Sequence, residues 1–295
     1  MKKTLFGLFA VMMLAACAMA QEEVTIPESN AFKPSLSLTL DYSTRYMSKG
    51  KIVNPEDMFF TDVFVELAGF YFDLWGAFDA NDYNEGKKGD GVGGVKHTFE
   101  EIDYGIGYSY TFENLDVINS LGIDVGVTYW DYPKRLGWQS VNEQQYEWHL
   151  DLSTGLFLNP GLTFYGDFET EKFYGKIYAN YGYELAENLT LDNKVELFWG
   201  NSKYNAGDYS IKHGGVDSSS LATYKEAFST FVWTISLNHT INDYLSWGVY
   251  AKLAWALDHD IRDSWHADSR DPYYTARNSK SGVNNLFGVT VSASF

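Results

Sequence analysis

Cysteine, proline and basic residues are scarce in this sequence of 295 residues, which contains one cysteine and six prolines. A lone cysteine, Cys17, provides neither a disulfide framework nor a cluster of thiolate metal ligands. The chain has 22 Lys and Arg against 39 Asp and Glu, and its formal net charge of −17 argues against a nucleic-acid partner. After residue 20, no uncharged run approaches the roughly 20 apolar residues of a transmembrane helix. Nucleic-acid binding and a helical membrane fold are therefore excluded.

The first twenty residues are typical of a cleaved secretory signal peptide. Two lysines precede an unbroken apolar run from Leu5 to Ala16, and Ala18-Met19-Ala20 gives the small-x-small pattern of a signal peptidase site. We predict a signal peptide over residues 1–20 and a periplasmic leader over residues 21–34. Export of this kind delivers the chain to or beyond the bacterial periplasm.

A second processing route stays open at the cysteine. Leu14-Ala15-Ala16-Cys17 resembles a bacterial lipobox, in which the cysteine is acylated and becomes the first residue. Acylation would anchor the protein to a membrane. Under cleavage after Ala20, which we favour, the mature chain has no cysteine, and a cysteine nucleophile is then excluded.

From residue 35 to the end, apolar and polar residues alternate. In the segment Ser35 to Tyr42, leucines at every second position share one face and Ser, Thr and Asp share the other. Such alternation predicts strands with one apolar and one polar face. Twelve such strands are predicted, at 35–47, 58–68, 70–79, 98–112, 121–132, 144–157, 161–169, 172–185, 189–200, 227–239, 244–258 and 283–295.

The connections between these strands favour a barrel in a membrane. Apart from a tight turn near Thr170-Glu171, the short turns alternate with long polar loops, which places them at one end, as in outer-membrane barrels. Aromatic residues recur near strand ends on the apolar face, as expected of an interfacial girdle. We therefore predict an all-β fold, a closed antiparallel up-and-down transmembrane β-barrel of about 12 strands over residues 35–295. The alternative is a soluble sandwich, in which the apolar face would point inward.

The last strand suggests a partner for assembly. The chain ends at Phe295, on the apolar face of an amphipathic strand. A terminal aromatic residue of this kind resembles the signal that the barrel-assembly machinery of the bacterial outer membrane recognises. We expect this machinery and outer-membrane lipid as partners, and a location in the bacterial outer membrane.

Several short motifs resemble those of the TorF-like porins of Gram-negative bacteria. They are Tyr46-Met47-Ser48-Lys49-Gly50, Glu101-Ile102-Asp103-Tyr104, the segment from Gly126 to Pro133, and Asn159-Pro160. The resemblance implies an outer-membrane barrel with a channel role and no defined substrate. Lys49 stands where that family usually has arginine, which leaves the role of this position open.

No pattern of catalytic or metal-binding chemistry is evident in the sequence. The six histidines are scattered, and we interpret the acidic loop around His259 and His266 as solvated. One enzyme alternative is an outer-membrane lipid hydrolase, because His149 and Ser153 share a polar face. That face would look into the lumen, where an acyl chain cannot easily reach. We predict no enzyme activity, no cofactor and no metal.

The predicted function is a porin-like channel for passive diffusion of small solutes. A barrel of twelve strands lies between the filled barrels of eight and the open porins of sixteen, so we expect a narrow or partly plugged pore. The alternative is a closed structural or adhesive barrel. Seven aromatic residues are expected to narrow the lumen: Trp75, Trp130, Tyr165, Tyr174, Tyr178, Phe198 and Tyr250.

The predicted inner wall is strongly acidic, which favours cations over anions. Fourteen carboxylates are expected to face inward: Asp41, Asp62, Glu66, Asp73, Glu101, Asp103, Asp124, Glu147, Asp151, Asp167, Glu169, Glu184, Asp192 and Glu196. Four cations are expected on the same face: Arg45, Lys176, Lys194 and Lys252. Ion pairs are expected to neutralise about four of the carboxylates, and crowding is expected to keep some others protonated, since like charges disfavour ionisation. The remaining excess of several negative charges should make the pore cation-preferring.

Overall fold

The computed structural model describes residues 34–80, 99–131, 145–208, 225–264 and 282–295. The predicted signal peptide, the lipobox cysteine and nearly all of the predicted leader lie outside these residues. The strands are β1 Ser35–Ser43, β2 Tyr46–Ser48, β3 Lys51–Asn54, β4 Met58–Leu67, β5 Phe70–Asp79, β6 Phe99–Leu115, β7 Asn119–Asp131, β8 Gln145–Thr154, β9 Gly161–Asp167, β10 Phe173–Ala186, β11 Leu189–Gly200, β12 Ala227–Asn242, β13 Leu245–Ala256 and β14 Val283–Ser294. Two short helices are α1, Ser202–Asp208, and α2, His259–Ser264.

Twelve of these strands form one closed antiparallel barrel, as the sequence predicts. From β4 to β14, each strand pairs with the next in chain order, and β1 pairs with both β14 and β4. The seam is continuous: seven consecutive residues of β1 pair with β14, from Ser37 opposite Ser294 to Ser43 opposite Gly288. The predicted fold class and strand number are therefore confirmed.

The two ends of the barrel differ as the loop lengths predict. Five turns lie at one end, which we call the short-turn end. The other connections lie at the opposite end, the long-loop end, and all of these are long except the turn of residues 168–172 between β9 and β10. In the turn between β4 and β5, Ala68 and Gly69 have φ of +53° and +83°. Such a pair of positive φ angles suits a two-residue hairpin turn. A Cβ on Gly69 would lie 2.6 Å from the carbonyl oxygen of Ser109, so the close approach to β6 also requires glycine.

The register places the predicted apolar face outside and the predicted polar face inside. Leu40, Ile106 and Phe70 point outward and are each more than 60% exposed. Burial is instead greatest inside the barrel towards the long-loop end, where Val232 and Ala254 pack with Phe198. None of the helices in the described residues is long and apolar enough to cross a membrane.

The first connection is a folded hairpin, which the alternation of polar and apolar residues does not predict. The predicted first strand, 35–47, differs from the structure at its end, because β1 stops at Ser43. The Ser43 hydroxyl donates to the carbonyl oxygen of Arg45 at 2.7 Å, and this bend takes the chain out of the barrel wall. Strands β2 and β3 then form a separate two-stranded sheet.

A designed disulfide across the seam between β1 and β14 tests closure of the barrel. Thr39 and Ser292 are paired, and their hydroxyl oxygens lie 3.0 Å apart inside the barrel. In a chain refolded without Cys17, we expect Thr39→Cys with Ser292→Cys to form an intramolecular disulfide nearly completely under mild oxidation. Thr39→Cys with Ser236→Cys, on the distant strand β12, is the control and should keep free thiols. Thiol titration measures both, and equal oxidation of the two pairs would contradict the seam.

Candidate functional site

The lumen is the candidate site, and most of the predicted inward carboxylates lie on its wall. By register, thirteen of the fourteen occupy inward positions of barrel strands, together with the seven predicted aromatic residues. Glu169 is the exception, because it lies exposed in the turn after β9. Asp167 is at the end of that strand and accepts backbone N–H groups from Glu169 and Thr170 at 2.6 and 2.8 Å. It shapes the rim rather than the centre of the lumen.

Arg45 lines the lumen as predicted, but it does not belong to a barrel strand. It follows the end of β1, outside the barrel strands. Its guanidinium donates to the carbonyl oxygen and to the side-chain oxygen of Asn285, both at 3.1 Å. The reason is the bend after Ser43, which breaks the alternation on which the prediction was based. Arg45 therefore holds the rim of β14 while lining the lumen cavity described below.

Acidic side chains are concentrated on one side of the lumen. Strands β4 to β8 contain neither lysine nor arginine. Asp124 and Asp151 are directly paired across β7 and β8. We call eight of the inward carboxylates of these five strands the acidic arc: Asp62, Glu66, Asp73, Glu101, Asp103, Asp124, Glu147 and Asp151.

His149 lies within the acidic arc and is held by it. Its Nε2 atom is 2.7 Å from Asp124 Oδ1 and 3.1 Å from the hydroxyl of Tyr71. The Tyr71 hydroxyl also donates to Asp124 Oδ1 at 2.9 Å. No hydrogen bond joins His149 to Ser153 among the described residues. The pairing that a serine nucleophile would need is thus not formed.

The lysines of the barrel wall lie on the opposite strands. Lys176, Lys194 and Lys252 come from β10, β11 and β13. Glu196 accepts two of these ammonium groups, Lys176 Nζ at 2.9 Å and Lys194 Nζ at 3.1 Å. Lys252 Nζ lies 5.4 Å from the ring centroid of Tyr250. Two lysines thus share one carboxylate that lies outside the acidic arc, and acidic and basic side chains lie on opposite sides of the lumen.

The hairpin β2–β3 reaches from the acidic arc across to the basic side. At its start, the Tyr46 hydroxyl donates to Glu101 Oε2 at 2.8 Å, and the Tyr46 ring meets Phe60 edge-on with centroids 5.4 Å apart. The next residue, Met47, packs against the buried cluster formed by Phe198, Val232 and Ala254. These two contacts anchor the hairpin on different walls, so it narrows the lumen near the long-loop end.

The tip of the hairpin is held through its backbone. Lys49 and Gly50 form the turn, with φ of +51° and +86°. The Lys49 carbonyl accepts from the Thr230 hydroxyl at 2.8 Å, and the Gly50 carbonyl accepts from Asn284 Nδ2 at 2.9 Å. A Cβ on Gly50 would lie 3.0 Å from Cβ of Thr230, so the docked tip has almost no room for a side chain there.

The two short helices pack around the hairpin tip. The Tyr204 ring of α1 stacks on Tyr174 with centroids 4.4 Å apart, and Tyr174 stacks on Tyr165 at 4.5 Å. Ile261 of α2 is fully buried against Tyr174 and Tyr204. The ammonium of Lys51 donates to the carbonyl oxygen of Asp208, at the end of α1, at 2.6 Å. The long-loop end is thus filled by several elements that support one another.

An exposed ion pair joins two loops above this cluster. Lys225 Nζ lies 2.9 Å from Asp258 Oδ2 and 2.5 Å from Asp260 Oδ2. Hydrogen bonds to Asp260 and Asp258 raise the pKa of Lys225, and the hydrogen bond from Lys225 lowers the pKa of Asp260. This link is at the protein surface, where solvent and salt screen it.

A cavity of about 210 Å³ remains beside the hairpin, with room for several water molecules. Asp41, Asp62 and Lys252 give it charged walls, and Tyr46 and Trp75 give it aromatic ones. The Tyr250 hydroxyl donates to Asp41 Oδ1 at 2.7 Å and orients that carboxyl group. The space left by the hairpin is therefore narrow, polar and charged.

The residues that dock the hairpin were not predicted from the sequence. Thr230 and Asn284 are uncharged, and they lie far from Lys49 and Gly50 in the sequence. One local signal was present, because a Lys-Gly pair between short alternating segments is suited to a tight turn. No local signal indicates where such a hairpin docks.

No protein-family model matches the chain, and no curated protein matches it. Solved structures with a similar fold include an outer membrane channel from Pseudomonas putida F1, 10% identical with a TM-score of 0.45, over 92% of this chain and 100% of that one. The NanC porin is 11% identical with a TM-score of 0.43, over 88% and 98% of the two chains. An outer membrane phospholipase from Salmonella typhi is 8% identical with a TM-score of 0.40, over 93% and 95%.

Substitution of Gly50 tests whether the hairpin is docked. Gly50→Val places a β-branched side chain at positive φ against Thr230, so we expect the tip to leave its site. Trypsin should then cleave the folded barrel after Lys49 or Lys51 about tenfold faster than the wild type, as measured by mass spectrometry of the fragments. Ser48→Ala, on the same hairpin, is the control and should not change the rate. Equal cleavage of Gly50→Val and the wild type would contradict the docked tip.

Proposed function

We propose that this protein is a pore of the bacterial outer membrane for passive diffusion of small hydrophilic solutes, with a preference for cations. The observation that carries the proposal is a closed barrel whose outer face is apolar and exposed while its inner wall is charged. In hydrocarbon every backbone N–H and C=O group must be hydrogen-bonded within the protein. A closed barrel meets this requirement because it has no unpaired edge strand. An apolar outer face suits lipid, and a charged lumen suits water and ions.

The distribution of charge supports the cation preference. The acidic arc carries eight carboxylates without a lysine or arginine in its strands. On the opposite strands, Lys176 and Lys194 are both paired with Glu196. The unneutralised carboxylates should concentrate cations in a narrow lumen and repel anions.

The docked hairpin supports a limit on solute size. It leaves a cavity of about 210 Å³ beside Asp62 and Trp75, which is comparable to a small hydrated solute rather than to a large nutrient. Rings at this constriction, such as Tyr46 and Trp75, offer apolar surface to a planar or sugar-like solute. We therefore include only small solutes in the proposal.

Export and assembly form part of the same proposal. Residues 1–20 would direct export and residues 21–34 would remain as a periplasmic leader. The barrel-assembly machinery would recognise the strand that ends in Phe295. This residue lies at the seam, where its N–H donates to the Leu36 carbonyl at 2.9 Å and its carbonyl accepts from the Leu36 N–H at 3.1 Å.

A catalytic role is not part of the proposal. The hydrolase alternative needs a histidine poised on a serine, whereas the His149 Nε2 atom is engaged by Asp124 and Tyr71 inside the lumen. The remaining alternative is a closed structural or adhesive barrel. In a planar bilayer, discrete conductance steps would support the pore, and a silent bilayer containing folded, heat-modifiable protein would support the closed barrel.

The ion preference is tested by the reversal potential under a KCl gradient. We expect the wild type to favour K⁺ over Cl⁻, and the preference should weaken near 1 M salt, where the Debye length is about 3 Å. Asp124→Asn with Asp151→Asn removes two facing charges of the acidic arc and should shift the reversal potential towards that of a neutral pore. A wild type that prefers chloride would refute the cation preference.

The matched control for Asp124→Asn with Asp151→Asn removes two negative charges outside the lumen. Glu187 and Asp243 lie exposed in turns at the short-turn end. Glu187→Gln with Asp243→Asn should leave the permeability ratio within about twofold of the wild type, since exposed charges are strongly screened. If both double variants shift the reversal potential equally, the acidic arc does not set the selectivity.

A further inference from the structure

The ammonium group of Lys49 is surrounded by aromatic rings. Its Nζ atom lies 4.1 Å from the ring centroid of Tyr174, 5.2 Å from that of Trp130 and 5.4 Å from that of Tyr204. These rings come from β10, β7 and α1, so the barrel and the helix above it build the enclosure together. We call these three residues the aromatic cage. An ammonium within about 6 Å of an aromatic face is attracted by the ring quadrupole.

The aromatic cage binds this ammonium without a direct ion pair. Among the described residues, no carboxylate oxygen lies within 4.0 Å of Lys49 Nζ. Carboxylates act from further away, because Lys49 interacts electrostatically with Asp103 and Glu147. The Tyr174 hydroxyl donates to Glu147 Oε1 at 2.9 Å, which fixes the ring that lies nearest the ammonium. The site therefore combines aromatic faces with a negative surrounding potential.

We propose that the aromatic cage is a binding site for organic ammonium ions, which Lys49 occupies as a tethered ligand when the hairpin is docked. The inference rests on the proposed function and names the class of solute that the pore recognises. Aromatic faces favour large, weakly hydrated alkylammonium groups, and aromatic cages are known to bind quaternary ammonium ligands. Small inorganic cations keep their water shells and gain less from such a surface.

Lys49 can leave the aromatic cage without undocking the hairpin. The tip is held by the Thr230 and Asn284 side chains, which bind the backbone carbonyls of Lys49 and Gly50. The lysine side chain contributes to neither of these hydrogen bonds. An incoming ammonium ion can thus displace a flexible side chain while the narrow passage keeps its shape. Truncation of Lys49 should empty the aromatic cage in the same way.

The experiment measures binding of tetramethylammonium chloride to the refolded barrel in detergent micelles by isothermal titration calorimetry, at constant ionic strength. Lys49→Ala should bind this ion about tenfold more tightly than the wild type, because the tethered competitor is gone. Adding Trp130→Leu to Lys49→Ala should remove most of that gain. Heat-modifiable migration shows whether each variant has refolded. If Lys49→Ala does not refold, Lys49→Ser takes its place in the experiment.

Lys51→Ala is the matched control. Lys51 belongs to the same hairpin, but its ammonium donates to the carbonyl oxygen of Asp208. Its removal changes the charge of the lumen equally and should leave the affinity near that of the wild type. Equal gains in Lys49→Ala and Lys51→Ala, or no binding to Lys49→Ala, would overturn the proposal. Since micelles require no conduction, a silent planar bilayer would refute the pore and leave this binding result intact.

Discussion

The structure depends on one constraint, the pairing of every barrel strand on both of its edges. An apolar outer face is suited to contact with lipid, and in lipid an unpaired backbone N–H or C=O costs several kcal/mol. Strand β1 removes this cost by pairing with β4 on one side and β14 on the other. Side chains of alternate residues must then face either the surroundings or an enclosed lumen. The polar interior follows from that geometry, because polar side chains that avoid lipid can only face the lumen.

Within the lumen, the docked hairpin narrows the space that the barrel encloses. It crosses from Glu101 on one wall to Thr230 and Asn284 on the other. Its two ends are fixed by different chemistry, a tyrosine hydroxyl on a carboxylate and backbone carbonyls on neutral side chains. The charged side chains lie on the two walls that the hairpin connects. The acidic arc is on β4 to β8, and the lysines are on β10 to β13. The hairpin and this separation of charge together determine the width and the charge distribution of the lumen.

The sequence predicted the barrel well, because period-two alternation is a local property of each strand. The same alternation fixed which of the carboxylates point inward, apart from Glu169, where the strand had already ended. It extended the first strand too far, because the Ser43 hydroxyl turns the backbone while the polar pattern continues through Arg45. The docking of Lys49 and the shared use of Glu196 by two lysines depend on contacts across the barrel. Spacing along one chain carries no signal for such contacts.

The central claim is that the hairpin β2–β3 sets the aperture of a water-filled pore. It is tested most directly by the single-channel conductance of a barrel in which residues 46–54 are replaced by a short Gly-Ser linker. Removing the hairpin takes away the bridge between Glu101 and Thr230 and leaves the twelve barrel strands unchanged. We expect discrete openings with a conductance several-fold above that of the wild type. A folded, closed barrel with unchanged conductance would contradict it.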